Sequence, residues 1–152
     1  MSEIERILDQ LHRSMYGEAW HGPAVMELLA EIDAKAAAAK PIERAHSIWE
    51  LALHIAAWQG AVRTRIGGKA VELSDEQDWP PVTDTSKAAW ELAVRGLRGS
   101  YEQLRDAIAG LDDQALLMPV PGRQHNLYFL IHGVIQHNLY HAGQIAVLKK
   151  AL

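Results

Sequence analysis

Two histidines near the end of the chain, His137 and His141, lie four residues apart in the segment HNLYHAGQIAVL. An α-helix has about 3.6 residues per turn, so side chains four positions apart project from the same face, one turn apart. Two imidazoles in that register can bind one metal ion, as the paired histidines of zinc-protease helices do. If this segment is helical, the spacing predicts part of a metal site.

A third histidine, His54, lies in the middle of an apolar stripe that runs from Leu51 to Val62 at helical spacing. Three histidines on the inward faces of two helices fit a site with three protein ligands and further positions open to water or substrate. Burying three imidazoles without partners costs about 1–3 kcal/mol each, and a shared divalent ion removes that cost. We therefore predict that His54, His137 and His141 bind a divalent metal ion.

Other interpretations of these histidines stay open. A single core histidine is commonly satisfied by a hydrogen bond to a carbonyl group, and an HxxxH pair on a helix also arises by chance. A fourth ligand, such as His46, His21 or a carboxylate, would indicate a structural metal site instead of a catalytic one. Asn138 stands where zinc-peptidase helices carry their glutamate base, so that mechanism is not supported. The paired Glu-x-x-His motifs of di-iron bundles are absent as well.

Several further residues are of secondary interest around the histidines. Gln144 lies about one turn from His141 and can either orient it as a hydrogen-bond partner or bridge two helices. Trp58, on the stripe described above, is interpreted as a core aromatic. Arg63 and Arg65 could bind an anionic cofactor, but a solvated helix face is the preferred interpretation.

The composition narrows the functional classes. The chain has 152 residues, 49% of them hydrophobic, and a formal net charge of −4, which gives no electrostatic case for binding nucleic acid or an anionic membrane. It has no cysteine, which excludes disulfides, thiolate metal ligands, iron–sulfur clusters and a cysteine nucleophile. No secretory signal and no apolar segment long enough to span a bilayer are visible. We expect a cytoplasmic protein.

The segments that must position the histidines show mainly helical periodicity, and no run of residues alternates between apolar and polar as in a half-buried strand. Four long helices are predicted, over residues 2–16, 47–66, 85–109 and 126–152, the second starting at a capping box formed by Ser47 and Glu50. Residues 71–82 are predicted to be a loop. Gly133 and Gly143 in the last helix are predicted to mark close helix approach.

Because the connections 17–46 and 67–84 can run the length of a bundle, we predict an all-α fold. It is a four-helix bundle with a long crossover connection, in a single domain over residues 1–152.

The two histidine segments also carry a family resemblance. HSIWELALHIAAW (46–58) together with GVIQHNLYHAGQIAVLKKAL (133–152) closely resembles the DinB superfamily of metal-binding four-helix proteins, as do WHGPAVMELL (20–29) and DWPP (78–81). The resemblance covers nearly the whole chain. It implies a bundle with a long crossover, a homodimer, and a divalent ion, zinc or nickel, held by the three histidines.

The same resemblance implies an activity. Known activities of the superfamily are largely transfers of a low-molecular-weight thiol, such as bacillithiol or mycothiol, which is activated at the metal. We therefore expect an enzyme in which the ion activates such a thiol for transfer to an electrophilic small-molecule substrate. Since the chain has no cysteine, the thiol must come from a cofactor. The alternatives are a metal-dependent hydrolase that uses bound water, and a non-catalytic metal-binding bundle.

Overall fold

The long helices begin where the sequence places a capping side chain. The computed structural model describes residues 1–152, and in it Ser2, Ser47, Ser86 and Asn126 each accept a hydrogen bond from the backbone amide three residues later. Ser47 and Glu50 form the predicted capping box. The helices that result are α1 (Glu3–Tyr16), α2 (Val25–Leu29), α3 (Ala34–Ala38), α4 (Ile48–Ile66), α5 (Asp75–Asp78), α6 (Lys87–Ala109) and α7 (Leu127–Lys150), with one 3₁₀ turn (Ala115–Leu117).

The four long helices form a bundle around one hydrophobic core. Helix α4 packs against α6 and α7, and α1 packs against the same two helices, so α1 and α4 lie diagonally opposite each other. A cluster of 30 buried hydrophobic residues fills the space between them. The predicted all-α four-helix bundle is confirmed, and the direct packing of α4 on α7 brings the two predicted histidine segments together.

The segment between α1 and α4 is the long crossover connection. Its first short helix, α2, packs against α1 and α7, and its second, α3, packs against α4 and α6. The connection therefore passes from one side of the bundle to the diagonally opposite helix, and it is the long crossover that the sequence predicted. None of the helices has the length and apolar content that crossing a membrane requires.

Two sequence-based expectations about local structure are wrong. Residues 71–82, predicted to be a loop, contain the short helix α5, because Ser74 and Gln77 form another capping box. This helix fixes the position of Asp78 and of Trp79, which follows it. A Cβ atom added at Gly133 or Gly143 would meet no neighbouring atom within 4 Å, so these glycines do not mark close helix approach.

Candidate metal centre

Three imidazole nitrogens from two helices meet at one point in the bundle. Nε2 of His137 lies 3.0 Å from Nε2 of His54 and 3.1 Å from Nε2 of His141. One ligand atom from each of the three residues falls within 4.8 Å of the others. His54 and His141 are each only 5% exposed. The structure thus brings together all three residues that the sequence predicted, and His54 faces the bundle interior.

The outer nitrogens of two of these rings are held by oxygen acceptors. Nδ1 of His54 lies 2.7 Å from the backbone oxygen of Asp78 and 3.1 Å from its Oδ1. Nδ1 of His141 lies 2.7 Å from Oε1 of Gln144. Because these oxygens accept hydrogen bonds, Nδ1 carries the proton in both rings. The Nε2 lone pairs of His54 and His141 therefore face the meeting point.

This arrangement fits a divalent metal ion. Nε2 of His137 makes both short contacts but can carry at most one proton, so at least one contact joins two lone pairs with no hydrogen between them. A shared cation removes that repulsion. Two nitrogens at about 2.0–2.1 Å from one zinc ion, at octahedral to tetrahedral angles, are about 2.8–3.4 Å apart. The two observed separations of 3.0 and 3.1 Å lie within that range.

The electrostatic environment keeps the three imidazoles neutral. Burial, together with the neighbouring His141 and His54, lowers the pKa of His137 from 6.5 to about 3. Burial also lowers the pKa of His54 and of His141, although Asp78 and Gln144 respectively oppose that shift. Neutral imidazole is the form that binds metals. The cluster is therefore in its metal-binding form near neutral pH.

Aromatic side chains cover the cluster on the α5 side. The indole of Trp79 stacks on His54 with ring centroids 3.8 Å apart, and His46 stacks on Trp79 at 3.5 Å. Nε1 of Trp58 donates a hydrogen bond to Oδ1 of Asp78 at 2.6 Å. Trp58 is thus more than a core aromatic: it holds the carboxylate that orients His54.

No fourth protein ligand joins the three histidines. The only group of three or more potential ligand side chains that the structure brings together contains His54, His137 and His141. The Asp78 carboxylate contacts the outer nitrogen of His54, and His21 is exposed. The amide of Asn138, at the position of the peptidase base, instead donates to Ser14 in the core at 3.1 Å.

Of the secondary expectations, the one for Arg65 is wrong, and those for Arg63 and Gln144 hold. Arg63 is exposed, as predicted for a solvated face, but Arg65 is buried: its Nη2 donates to the Val71 carbonyl, and its guanidinium lies over the ring of Trp58. Gln144 has the orienting position that the sequence suggested. The roles of Asp78 and Trp79 were not predicted, although the DWPP motif that contains them was one of the family-like segments.

Comparison with known proteins gives one match. The family model described as DinB superfamily matches residues 19–145, which include the three histidines and the residues that orient them. Neither the comparison with curated proteins nor that with solved structures found a match.

Proposed function

The chain belongs to the DinB superfamily, and from that premise we propose that it is a metal-dependent enzyme that transfers a low-molecular-weight thiol to an electrophilic small molecule. His54, His137 and His141 would hold the ion, with zinc or nickel as the candidates. The observation that carries the proposal is the meeting of three Nε2 atoms, two of which have their lone pairs fixed inward by oxygen partners on Nδ1.

The side chains around the site have distinct tasks in this proposal. A divalent ion bound by three neutral imidazoles keeps its charge and lowers the pKa of a thiol that reaches it. Asp78 and Gln144 hold the rings in the required tautomer, and Trp79 shields His54 from solvent. In the transfer, the thiol sulfur forms a bond to the electrophilic carbon, the leaving group departs with the bonding electron pair, and the thiol proton passes to solvent.

The surrounding carboxylates favour a thiol over water as the nucleophile. Asp78 is occupied by Trp58 and His54. Glu50 accepts hydrogen bonds from the Ser47 amide and Lys40. Neither is free to take a proton from an attacking water, so a hydrolase at this site would depend on the metal alone to ionise its water. Three protein ligands without a fourth also favour a catalytic site over a structural one.

The first test is the metal content of the purified, tag-free protein after reconstitution with zinc or nickel. We expect about one ion per chain in the wild type and none in His54→Ala or His137→Ala, with helicity retained in both variants. His132→Ala is the matched control, since His132 lies on the same helix but about 140° around it from His137. Full metal content in His137→Ala would show that the ligands are wrongly assigned.

The second test addresses the reaction. Metal-loaded protein is mixed with bacillithiol or mycothiol and 1-chloro-2,4-dinitrobenzene at neutral pH, and thiol conjugation is followed by absorbance. We expect conjugation above the uncatalysed rate in the wild type and in His132→Ala, and none above it in His137→Ala. A metal-loaded wild type with no acceleration for either thiol would contradict the thiol-transfer proposal. A homodimer remains a prediction, which sedimentation can check.

A further inference from the structure

A groove of about 480 Å³ lies beside the metal centre, between the segment leading into α4 and the C-terminal half of α7. Its polar lining consists of Arg44, His46, Tyr140 and Gln144, and its apolar lining includes Ile42, Leu51, Val147 and Leu148. We infer that this groove binds a small organic anion with an apolar body, and that it is the substrate subsite of the metal centre. The second half of that inference rests on the proposed function, whereas the binding of an anion does not.

The charges of the groove favour an anion. Arg44 is the only lining residue with a permanent charge, and no carboxylate lines the groove. The chain as a whole carries 19 acidic and 15 basic side chains, so a lining with a cation and no acid differs from its average surface. Arg44 forms no ion pair within the chain, because none of the salt bridges involves it. Its guanidinium is therefore available to a carboxylate ligand.

The apolar lining favours a ligand with a hydrocarbon or aromatic body. Leu51 and Leu148 are buried and form part of the lining, while Ile42, Tyr140 and Val147 are 43%, 67% and 58% exposed. A ligand body that covers these exposed side chains removes apolar surface from water, which stabilises the complex. An anionic head with an apolar body thus matches both kinds of lining.

Two residues connect the groove to the metal centre by separate routes. Gln144 lines the groove, and its Oε1 accepts the hydrogen bond from His141, while its amide nitrogen makes no hydrogen bond within the chain. That nitrogen can donate to an anion. His46 also lines the groove and stacks on Trp79, which stacks on His54. A groove ligand would therefore touch Gln144, the hydrogen-bond partner of His141, and His46, which reaches His54 only through Trp79.

The test is an NMR titration of ¹⁵N-labelled, metal-free protein with 4-phenylbutyrate. 4-Phenylbutylamine is the matched probe, with the same body and the opposite charge. We expect saturable shifts of the Gly143, Gln144 and Val147 amides with the carboxylate, and binding at least about tenfold weaker with the amine. Arg44→Glu should weaken carboxylate binding about fivefold or more. Arg63→Glu, an identical charge change at an exposed position outside the groove, should not weaken it.

A second variant tests the apolar part of the groove. Val147→Ser replaces an exposed apolar side chain of the groove with a small uncharged polar one and should weaken carboxylate binding without loss of helicity. Equal affinity for both probes, shifts confined to another surface, or equal weakening in the two arginine variants would each overturn the inference. If the protein binds metal but does not bind 4-phenylbutyrate, only the inference about the groove is wrong. Carboxylate binding without metal binding would refute the proposed function and leave the groove as an anion site.

Discussion

The indole of Trp79 lies parallel to the imidazole of His54, with 5° between the ring planes and 3.8 Å between the centroids. The residue before it, Asp78, binds the outer nitrogen of the same imidazole through both its backbone and its carboxylate oxygen. Two consecutive residues at the end of α5 thus fix both the face and the tautomer of His54. The connection between α4 and α6 is therefore part of the candidate metal centre.

Replacing Asp78 should weaken metal binding. In Asp78→Ala, the backbone oxygen still contacts His54, but the carboxylate contact and the acceptor for Trp58 are lost. Loss of such an outer hydrogen-bond partner weakens metal affinity about 10- to 100-fold. Competition with a chromophoric zinc indicator measures the affinity. Asp75→Ala, in the same short helix but exposed, is the control, and equal affinities in the two variants would refute the role of Asp78.

Replacing Gln144 by leucine should weaken metal binding, whereas replacing it by glutamate should not. Gln144→Leu removes the acceptor for Nδ1 of His141 and should weaken metal binding about 10- to 100-fold. Gln144→Glu should retain or increase the affinity, because a carboxylate accepts this hydrogen bond more strongly than an amide does. The zinc indicator competition applies here too, with Gln136→Leu on the exposed side of α7 as the control. The prediction fails if the leucine and glutamate variants bind alike.

Metal removal should lower thermal stability without unfolding the bundle. A ligand that binds only the folded state stabilises it by about 2.7 kcal/mol at 100 times its Kd. For a chain of this size that corresponds to a shift in Tm of roughly 5–11 °C. The core of 30 hydrophobic residues does not depend on the ion, so the metal-free protein should keep its helical circular dichroism. Calorimetry with and without a chelator measures the shift, and His137→Ala should show none.

Asp113, which lies away from the metal centre, should make the stability of the folded protein depend on pH. Its carboxylate accepts hydrogen bonds from the backbone amides of Glu3 and Ile4, at 3.0 Å each. These bonds lower the pKa of Asp113 below its ordinary value of 3.8. Because the folded state has the lower pKa, the stabilisation is fully present above the unfolded value and is lost as the pH falls through the folded one.

The measurement is urea unfolding of the wild type and Asp113→Asn at pH 7, 5 and 3. The free energy of unfolding of the wild type should exceed that of the variant at pH 7 and 5, and the difference should shrink at pH 3. Glu102→Gln, which removes an exposed carboxylate on α6, should show no such pattern. A difference that stays constant across the three pH values would assign the effect to packing instead of to ionisation.

Helix formation and the shared face of two histidines could be predicted from the sequence because both depend on neighbouring residues. Capping residues such as Ser47 and Asn126 mark where helices begin, and the 3.6-residue turn alone places His137 and His141 on one face. His54 could be added because the middle of an apolar stripe must face the core. These local rules determined the bundle and the three histidines.

Which residues surround the three histidines was decided by the tertiary structure alone. Asp78 lies 24 residues after His54, and only the path of the connection through α5 brings its oxygens to that ring. The same holds for Arg65, which was predicted to lie on a solvated helix face but whose guanidinium is buried over the ring of Trp58. The groove joins two segments that are about a hundred residues apart in the chain. Such contacts depend on how helices and connections pack, which helical periodicity does not encode.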